Sequence, residues 1–589
     1  MKELGESPHW RIGLLLIFML LVLWVPRGFN LDHFVTADEP KWLARSGNFY
    51  YALMNGDLAN TFTREHPGVT TMWAGTLGFL WRYPDYAWET PGILTDSTQI
   101  EKVLRANGVE PIDVLEGGRV FVVLIVVVTL VTSFWLAVKL LGLWTSFVGF
   151  IFIALDPFLV GLTRILHLDG LMSSFMLLSV LGFLNYLNVY HKDRRDRSRW
   201  IYLTISGVAA GLSWLTKSPA LFLAPFLVLV ALIYYLWSWY RQRKIVKKEL
   251  WEMIKALAFW AIIGCAVFVL LFPAMWVTPL QVVERIIAEA TTSASGGHTT
   301  TVFFDGRLIS GDPAIPTYPQ KYKGQFYYPL SYLGHRFYPL VYLWRATPAV
   351  LVGLTSLLLA LITGRNNPQL RRKIWIIGAL GLFAILFMIF MDQGAKKFDR
   401  YLLPIFIPLD LLAGLGLVVV VRWARNMLDN NLIKKFVLLL TGLLIILQVF
   451  SAFVTSPYYF SYYNPLMGGG KKASEVLMVG WGEVLDQAAR YLNINRESED
   501  LKVLSYYPDG CFSYFFEGET IHAASEWDET LERLASVDYV VLYIHQWQRQ
   551  LPFSEMLDFF GELTPVEVIT INDIAYAEIY DMREVPLPK

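Results

Sequence analysis

Two carboxylates stand directly after the first apolar stretch of the chain, in Ala37-Asp38-Glu39-Pro40. A carboxylate at this position has the chemistry of a general base or of a metal ligand. The structural alternative is that Asp38 or Glu39 caps the N-terminus of a helix whose first turn holds Pro40. Because one residue can do both, the sequence leaves both interpretations open.

Two further groups combine acidic residues with histidine. Glu65-His66 has the residue types that bind a sugar hydroxyl, a metal ion or an acceptor, and a solvated loop is the alternative. Farther along, the spacing of Arg164 and His167 places them on one helical face, with Asp169 at or beyond the helix end. The alternative there is that Asp169 caps the next helix and that Arg164 extends to the lipid headgroups.

Cations between apolar stretches form the remaining groups. Lys217 has no acidic partner nearby in the sequence, and an ammonium at such a place is costly unless an anion meets it. Lys396, Lys397 and Arg400 crowd a second short turn, where Arg400 is the best phosphate ligand because its planar fork can bind two oxygens. Tyr401 follows and is assigned to the same substrate-binding group. The alternatives are contact with headgroups or binding of ordinary anionic lipid.

The elements that must position these residues are transmembrane helices. Of the 589 residues 55% are hydrophobic and 17% are charged, whereas a soluble domain carries roughly a quarter charged residues. A net charge of zero argues against a nucleic-acid surface. About eleven runs are long enough to span a bilayer. They begin near Trp10, Arg119, Trp144, Gly170, Trp200, Ala220, Lys255, Pro348, Lys373, Tyr401 and Lys435.

The basic loops indicate how these spans are oriented. With eleven spans and a cytoplasmic N-terminus, the loops 192–199, 241–248, 365–373 and 422–435 all fall on the cytoplasmic side. The long loops at about 27–118 and 277–346 and the tail after about 456 then lie on the other side. So do the charged groups described above, and cations on that side indicate an anionic ligand. We therefore predict a multi-pass cell-membrane protein with an extracytoplasmic site.

The tail, residues 456–589, is predicted to be a small soluble α/β domain. Gly482–Leu492 has the pattern of a helix, whereas Lys502–Tyr507 and Val537–Tyr543 have the β-branched and aromatic content of strands. Val566–Tyr580 resembles a hairpin that turns at Asn572-Asp573. The tail holds no metal-binding or nucleotide-binding motif, and its sequence assigns it no role.

The charged groups, taken in order over residues 10–420, resemble the GT-C fold glycosyltransferases. The likeness is closest to the protein O-mannosyltransferases and the aminoarabinose transferases of lipid A. The matching elements are Asp38-Glu39, Glu65-His66-Pro67, Arg164 to Asp169, Leu215 to Pro219, Arg345 to Pro348 and Arg400 to Pro404. This chain has Gly68 where the mannosyltransferases usually have a second proline, and it lacks an evident inserted carbohydrate-binding module.

The resemblance implies a mainly α, GT-C type catalytic domain over residues 1–455 and an extracytoplasmic domain over 456–589. It implies a sugar donor on polyprenyl phosphate and inverting transfer to a protein, lipid or glycan acceptor, including protein glycosylation. Asp38 would be the base, grouped with Glu39 and Asp169. Arg400, with Lys217, Lys396 or Lys397, would stabilise the leaving phosphate. The other site residues, which would bind or orient acceptor, sugar or a metal, are Glu65, His66, Arg164, His167 and Tyr401.

Some relatives bind a divalent metal ion and others do not, so the resemblance leaves metal dependence open. Two other functions also remain open: a flippase that moves lipid-linked sugars without chemistry, and an assembly subunit that has lost catalysis. Transporters place ionisable residues near the bilayer midplane, often on related halves of the chain. Here the charges lie at one face and no repeat is evident, which favours the enzyme.

Overall fold

The computed structural model describes residues 9–64, 66–242, 247–295, 301–310, 320–322, 325–363, 368–394, 396–427, 430–494, 498–524 and 527–587. It is mainly helical. In chain order the helices are α1 (His9–Gly28), α2 (Glu39–Met54), α3 (Val69–Arg82), α4 (Tyr86–Glu89), α5 (Gln99–Ala106), α6 (Pro111–Leu141), α7 (Leu143–Leu155), α8 (Pro157–Leu162), α9 (Leu168–Lys192), α10 (Ser198–Thr216), α11 (Leu223–Gln242), α12 (Lys247–Leu271), α13 (Ala274–Val277), α14 (Pro279–Ser295), α15 (Phe337–Arg345), α16 (Pro348–Thr363), α17 (Pro368–Asp392), α18 (Leu403–Met427), α19 (Asn431–Val454), α20 (Gly469–Val476), α21 (Leu485–Asn493), α22 (Trp527–Leu534), α23 (Ile544–Arg549) and α24 (Ser554–Gly561).

The apolar helices confirm a multi-pass membrane protein. Each of the eleven predicted segments forms a helix, and within the described ranges seven candidate spans are long and apolar enough to cross a membrane. These spans comprise α6, α9, α11, α12, α17, α18 and α19. The pair of helices at Gly334–Arg345 and Pro348–Thr363 passes the same test together but is bent by 114° at the break between them, and α1 and α7 contain shorter apolar stretches. The span count is thus seven or eight by length and composition, and the eleven-span topology stays a prediction.

Close helix contacts hold α9 and α18 in the centre of the bundle. The apolar window of α9 is 100% buried. A Cβ added at Gly182 of α9 would lie 2.9 Å from the Ser206 Cβ of α10, and one at Gly416 of α18 would lie 1.9 Å from the Gly353 carbonyl oxygen of α16. Small residues therefore allow the backbones to approach, as is usual between membrane helices. This packing fixes the N-terminal end of α9, which carries Asp169, and that of α18, which follows Arg400 and Tyr401.

The tail contains a five-stranded mixed sheet. Its strands are β5 (Lys502–Ser505), β6 (Glu519–Ile521), β7 (Tyr539–Tyr543), β8 (Glu567–Ile571) and β9 (Ile574–Asp581), in the order β6-β5-β7-β9-β8. The predicted hairpin is confirmed, because β8 and β9 pair antiparallel around Asn572 and Asp573, both at positive φ. The predicted helix and both strands are also present. The helix begins three residues later and ends one residue later than predicted, and each strand is two residues shorter at one end.

A second sheet lies before α15, within the segment that was predicted only as a long loop at about 277–346. It consists of β1 (Val302–Phe304), β2 (Arg307–Ser310), β3 (Gln320–Tyr322) and β4 (Gln325–Pro329), in the order β1-β2-β4-β3. Phe304 of β1 also forms a bridge with Leu477 of the tail. The Ala37 amide, in the first loop, donates to the Trp481 carbonyl oxygen at 3.0 Å. The tail is therefore packed against both long loops.

Candidate active site

A cavity of about 420 Å³ lies where the first loop, the N-terminal end of α9, the C-terminal end of α10, the turn before α18 and the tail meet. It brings together acidic and basic groups that are far apart in the sequence. The predicted residues that line it are Asp38, His66, His167, Lys217, Lys396, Arg400 and Tyr401. Those that do not line it are Glu39, Arg164, Asp169 and Lys397. Glu65 lies outside the described residues.

Asp38 occupies the N-cap position of α2, but its side chain makes no capping hydrogen bond. Pro40 stands in the first turn, as the sequence predicts. Glu39 bonds to the turn before the helix, since its Oε2 accepts from the Thr36 amide at 2.9 Å and from the Thr36 hydroxyl at 3.1 Å. The Asp38 carboxylate is therefore not used for capping, and it lines the cavity.

The basic side chains of Arg400, Lys41 and His167 surround the Asp38 carboxylate at 3.5 Å or more. Oδ2 lies 3.5 Å from Arg400 Nη2 and 3.8 Å from His167 Nε2, and Oδ1 lies 3.6 Å from Lys41 Nζ. Burial alone raises the pKa of Asp38, but the charges of Arg400, His167 and Lys41 outweigh it and hold the pKa below its ordinary value. Asp38 is therefore ionised at neutral pH.

Asp169, at the first turn of α9, is the buried anchor of this cluster. Oδ1 accepts from Lys217 Nζ at 2.7 Å, while Oδ2 lies 3.3 Å from His167 Nδ1 and 3.9 Å from Arg400 Nε. Lys217 thus has the acidic partner that its sequence neighbourhood lacks. Since Asp169 is fully buried and does not line the cavity, its place is that of a positioning residue.

Aromatic rings hold the two central cations in place. The Arg400 guanidinium lies 4.4 Å from the centre of the Phe398 ring and 4.3 Å from that of Trp481. Lys217 Nζ lies 4.3 Å from the centre of the Tyr401 ring. Such cation–π contacts restrict each charge without neutralising it. Arg400 makes one long hydrogen bond, to Asp38, and its Nε has no hydrogen-bond partner among the described residues.

Glu39 links the first loop to Arg119 and to the turn before α9. Its carboxylate is fully buried and receives Arg119 Nε at 2.7 Å, Arg119 Nη2 at 2.6 Å and the Leu166 amide at 2.9 Å. Arg164 also has a structural role, because it donates to the Phe29 and Asn30 carbonyl oxygens. These bonds tie the first loop to the turn before α9, and so fix Asp38 relative to His167.

We expect Glu39→Gln to lower the free energy of unfolding by about 3–5 kcal/mol, because it leaves the Arg119 charge buried without its counterion. The matched control is Glu116→Gln. Glu116 pairs with Arg82 at 2.6 Å, but both side chains are about one third exposed, so the expected loss is below about 1 kcal/mol. Thermal unfolding of the detergent-solubilised protein measures both. Equal losses in the two variants would contradict the supporting role of Glu39.

The predicted cation cluster before α18 divides into two parts. Lys396 lines the cavity, but Lys397 is buried and donates to the Asp392 carboxylate and carbonyl oxygens, each at 2.7 Å. Asp399 accepts from Arg345 at 2.6 and 3.0 Å. Lys396 and Arg400 are therefore the members of this cluster that can meet a ligand.

His66 closes another side of the cavity. Its Nδ1 lies 3.2 Å from Ser218 Oγ and its Nε2 lies 3.7 Å from Glu289 Oε1. Burial and the nearby Lys217 charge lower the pKa of His66 to about 4, although Glu289 opposes the shift. His66 is therefore neutral at physiological pH, when it can both donate and accept a hydrogen bond.

The pKa of His66 predicts a pH dependence of stability. Between pH 6.5 and about 4 the unfolded chain binds a proton at this histidine and the folded chain does not. Stability therefore falls as the pH is lowered through that window. We expect the melting temperature of His66→Asn to fall less between pH 6.5 and 4.5 than that of the unmodified protein. Parallel curves for the two proteins would contradict the prediction.

The tail contributes side chains to the cavity that were not predicted from the sequence. Trp481 packs edge-on against His167, with ring centres 5.0 Å apart, in addition to its contact with Arg400. The flanking glycines have φ of +97° at Gly480 and +116° at Gly482, and a Cβ at Gly482 would meet the Val35 carbonyl oxygen at 2.3 Å. The pair of glycines around a tryptophan is the signal that could have indicated a constrained turn.

His545 is a second residue from the tail that lines the cavity. It is 3% exposed, and its Nδ1 lies 2.8 Å from the Tyr507 hydroxyl, while its Nε2 has no hydrogen-bond partner among the described groups. Burial, with smaller effects of Arg549 and Arg400, holds the pKa of His545 well below its ordinary value. A neutral imidazole therefore presents a hydrogen-bonding nitrogen beside the acidic and basic groups.

A metal ion remains an open expectation for this site. Within the part of the chain that the structure describes, no group of three or more His, Cys, Asp or Glu side chains could hold one. Asp169 Oδ1 accepts from Lys217, whereas its buried Oδ2 lies 3.3 Å from His167 Nδ1 and has no hydrogen-bond partner among the described residues.

Comparison with known families agrees with the sequence resemblance. Residues 114–286 match the family model described as dolichyl-phosphate-mannose-protein mannosyltransferase. No curated protein sequence matches the chain. The resemblance to glycosyltransferases that use lipid-phosphate-linked sugars is thus confirmed by a family match over that segment, which contains the turn before α9 and Lys217.

Three solved structures are also similar to the chain. ArnT from Cupriavidus metallidurans bound to undecaprenyl phosphate is 13% identical, with 97% of this chain and 98% of that chain covered and a TM-score of 0.45. The archaeal oligosaccharyltransferase AglB from Archaeoglobus fulgidus, in complex with an inhibitory peptide and a dolichol-phosphate, is 12% identical over 91% and 70%, with a TM-score of 0.44. The S. cerevisiae protein O-mannosyltransferase Pmt1-Pmt2 complex bound to the sugar donor is 16% identical over 46% and 34%, with a TM-score of 0.33.

Proposed function

We propose that the chain is an inverting glycosyltransferase that moves a sugar from a polyprenyl-phosphate carrier to an acceptor hydroxyl on the extracytoplasmic face of the cell membrane. One observation carries the proposal. A single cavity holds a carboxylate without a short hydrogen bond, Asp38, beside two positioned cations, Arg400 and Lys217. Sugar transfer from a lipid phosphate needs a base for the acceptor and cations for the leaving group.

Asp38 is the best candidate for the base. The other carboxylates that line the cavity among the described residues are Asp399 and Glu483. Asp399 accepts two hydrogen bonds from Arg345, and Glu483 accepts from the Trp481 amide and from the Tyr543 hydroxyl. Asp38 is the one of the three whose carboxylate accepts no hydrogen bond shorter than 3.5 Å, so it is the best placed to receive a proton from a substrate.

The reaction is a single displacement. The acceptor oxygen forms a bond to the anomeric carbon as the bond from that carbon to the phosphate oxygen breaks, and the acceptor proton passes to Asp38. A retaining route needs a second carboxylate as nucleophile, about 5 Å from the first. Asp169 is fully buried, does not line the cavity and accepts from Lys217 at 2.7 Å, so it is not placed to attack the sugar. Inversion at the anomeric carbon follows.

The leaving polyprenyl phosphate takes the electron pair of the broken bond, and its charge develops beside Arg400. The Arg400 side chain makes one hydrogen bond, from Nη2 to Asp38 at 3.5 Å, which leaves its Nη donors for phosphate oxygens, while the buried Nε lies 3.9 Å from Asp169. Lys217 and Lys396 line the same cavity and add positive charge. His66, His167 and Tyr401 are placed to orient the sugar, and the carrier lipid extends between the helices. The acceptor is a protein, a lipid or a glycan.

The position of the cavity favours transfer over transport. Asp169 lies in the first turn of α9, and Lys217 follows the last residue of α10, so the charges meet at the ends of these helices. A transporter is expected to bind its substrate near the midplane, on interrupted helices. A flippase for lipid-linked sugars is nevertheless the second function to test.

The decisive experiment incubates the purified protein with a panel of polyprenyl-phosphate sugars and candidate acceptors, followed by mass spectrometry of the acceptors. A new glycosidic bond and released polyprenyl phosphate are expected. The same donors are then placed in proteoliposomes. Movement of lipid-linked sugar between leaflets, with no new glycosidic bond for any donor, would support the flippase and contradict the transferase.

A further inference from the structure

A second and larger cavity, of about 1650 Å³, lies at the opposite ends of the helices that carry the site. We call it the basic groove, and its walls are the C-terminal ends of α6 and α9 and parts of α11 and α17. Asn188 of α9 lines the groove, and it lies roughly 28 Å along the helix from Asp169 at 1.5 Å per residue. The basic groove therefore lies near the other face of the membrane.

The depth of the basic groove is apolar. Leu187 of α9, Val230 and Ile233 of α11, and Ala379 and Leu382 of α17 line it. These residues belong to candidate membrane spans. A surface of this kind suits hydrocarbon chains and disfavours a soluble anion, which has no apolar part to cover it.

Positive charge is concentrated in the basic groove. The cationic residues in its lining are Lys139, Lys192, Arg371, Arg372, Lys373 and Arg422. Only two carboxylates, Asp193 and Asp196, are among the described lining residues. Each of these accepts a backbone amide at 2.8 Å, from Arg195 and Ser198 respectively. The positive charge is therefore in excess.

Aromatic side chains complete the pattern. Trp237 and Trp375 line the basic groove together with Tyr234, whose ring centre lies 5.7 Å from that of Trp375. Tryptophan and tyrosine prefer the level of the lipid headgroups. Basic groups, interfacial aromatic rings and an apolar depth thus occur in one cavity.

We propose that the basic groove binds an anionic phospholipid from the adjacent leaflet. Its phosphate lies among the cations at the start of α17, and its acyl chains lie on the apolar wall. Basic recesses between membrane helices bind anionic headgroups in this manner. This site is distinct from the transfer cavity, so the result of its test does not depend on the transferase function.

The first test removes charge. The protein is reconstituted into vesicles of equal parts phosphatidylglycerol and phosphatidylcholine, extracted in mild detergent, and examined by native mass spectrometry. We expect retained phosphatidylglycerol in the unmodified protein and about fivefold less retention for each arginine removed in Arg371→Ala and Arg372→Ala. The controls are Arg195→Ala and Arg425→Ala, which change the same charge at exposed positions outside the groove.

The second test fills the groove and leaves the charges in place. An added Cβ at Gly378, which lines the groove, or at Gly381, which does not, would meet no atom within 4 Å. Both leucine variants should therefore fold. We expect Gly378→Leu to reduce phosphatidylglycerol retention at least fivefold and Gly381→Leu to leave it unchanged.

Three outcomes would overturn the proposal. One is equal retention of phosphatidylglycerol and phosphatidylcholine. Another is an equal loss in the groove variants and their controls. The third is displacement of phosphatidylglycerol by an equal concentration of polyprenyl phosphate, which would make the groove a carrier site. None of these measurements uses sugar transfer as its readout.

Discussion

Replacing Asp38 with asparagine is expected to lower the rate of sugar transfer by about 10²- to 10⁴-fold, the range that general-base catalysis contributes. Asparagine keeps the shape of the side chain but cannot take the acceptor proton. Because Asp38 touches its cationic neighbours only at 3.5 Å or more, substrate binding should change little. The loss should therefore appear in kcat rather than in the KM for the donor.

A separate control tests whether Asp38→Asn still folds. The Asp38 side chain is 29% exposed and makes no capping bond, so Asp38→Asn should keep the melting temperature within a few degrees. Asp85→Asn changes an exposed carboxylate in the same loop that does not line the cavity, and it should retain full activity. Asp38→Asn with unchanged kcat would rule out this residue as the base.

The helices were predictable because most of the apolar runs are about as long as a bilayer requires. The residues of the site were also recognisable, since charge between apolar runs is costly and so stands out. Their contacts were not. Arg400 meets Asp38 across 362 residues, and Lys217 finds Asp169 across 48, and no local pattern encodes such distances.

Two turns have local sequence patterns that could have predicted them. Asp305-Gly306, after the Val302–Phe304 run, adopts positive φ at both residues and turns β1 into β2, which is the behaviour of a hairpin turn. The Gly480-Trp481-Gly482 turn brings the tail to the site. It was also not predictable which charged residues are buried. Glu39 is a carboxylate like Asp38, and Lys397 is a lysine like Lys396, yet Glu39 and Lys397 bind structural partners.

Replacing Arg400 with glutamine is expected to reduce transfer by about 10²- to 10³-fold, the cost of losing one donor to a developing oxyanion. Arg400 is the cation nearest to Asp38, so it links the base to the leaving-group side of the cavity. Arg400→Lys keeps the charge but loses the planar fork that stacks between Phe398 and Trp481, so we expect only partial recovery.

The measurement that separates binding from chemistry is a titration with polyprenyl phosphate, the released product. If Arg400 acts on the leaving group, Arg400→Gln should weaken product binding and lower kcat together, because the phosphate carries more charge after the bond breaks. Arg82→Gln, an exposed arginine in the pair with Glu116, is the matched control and should alter neither. Normal product binding with a lost kcat would instead place Arg400 beside Asp38 as a residue that tunes the base. Because Arg400 contacts Asp38 and lines the same cavity, this experiment tests whether one residue serves both the base and the leaving phosphate.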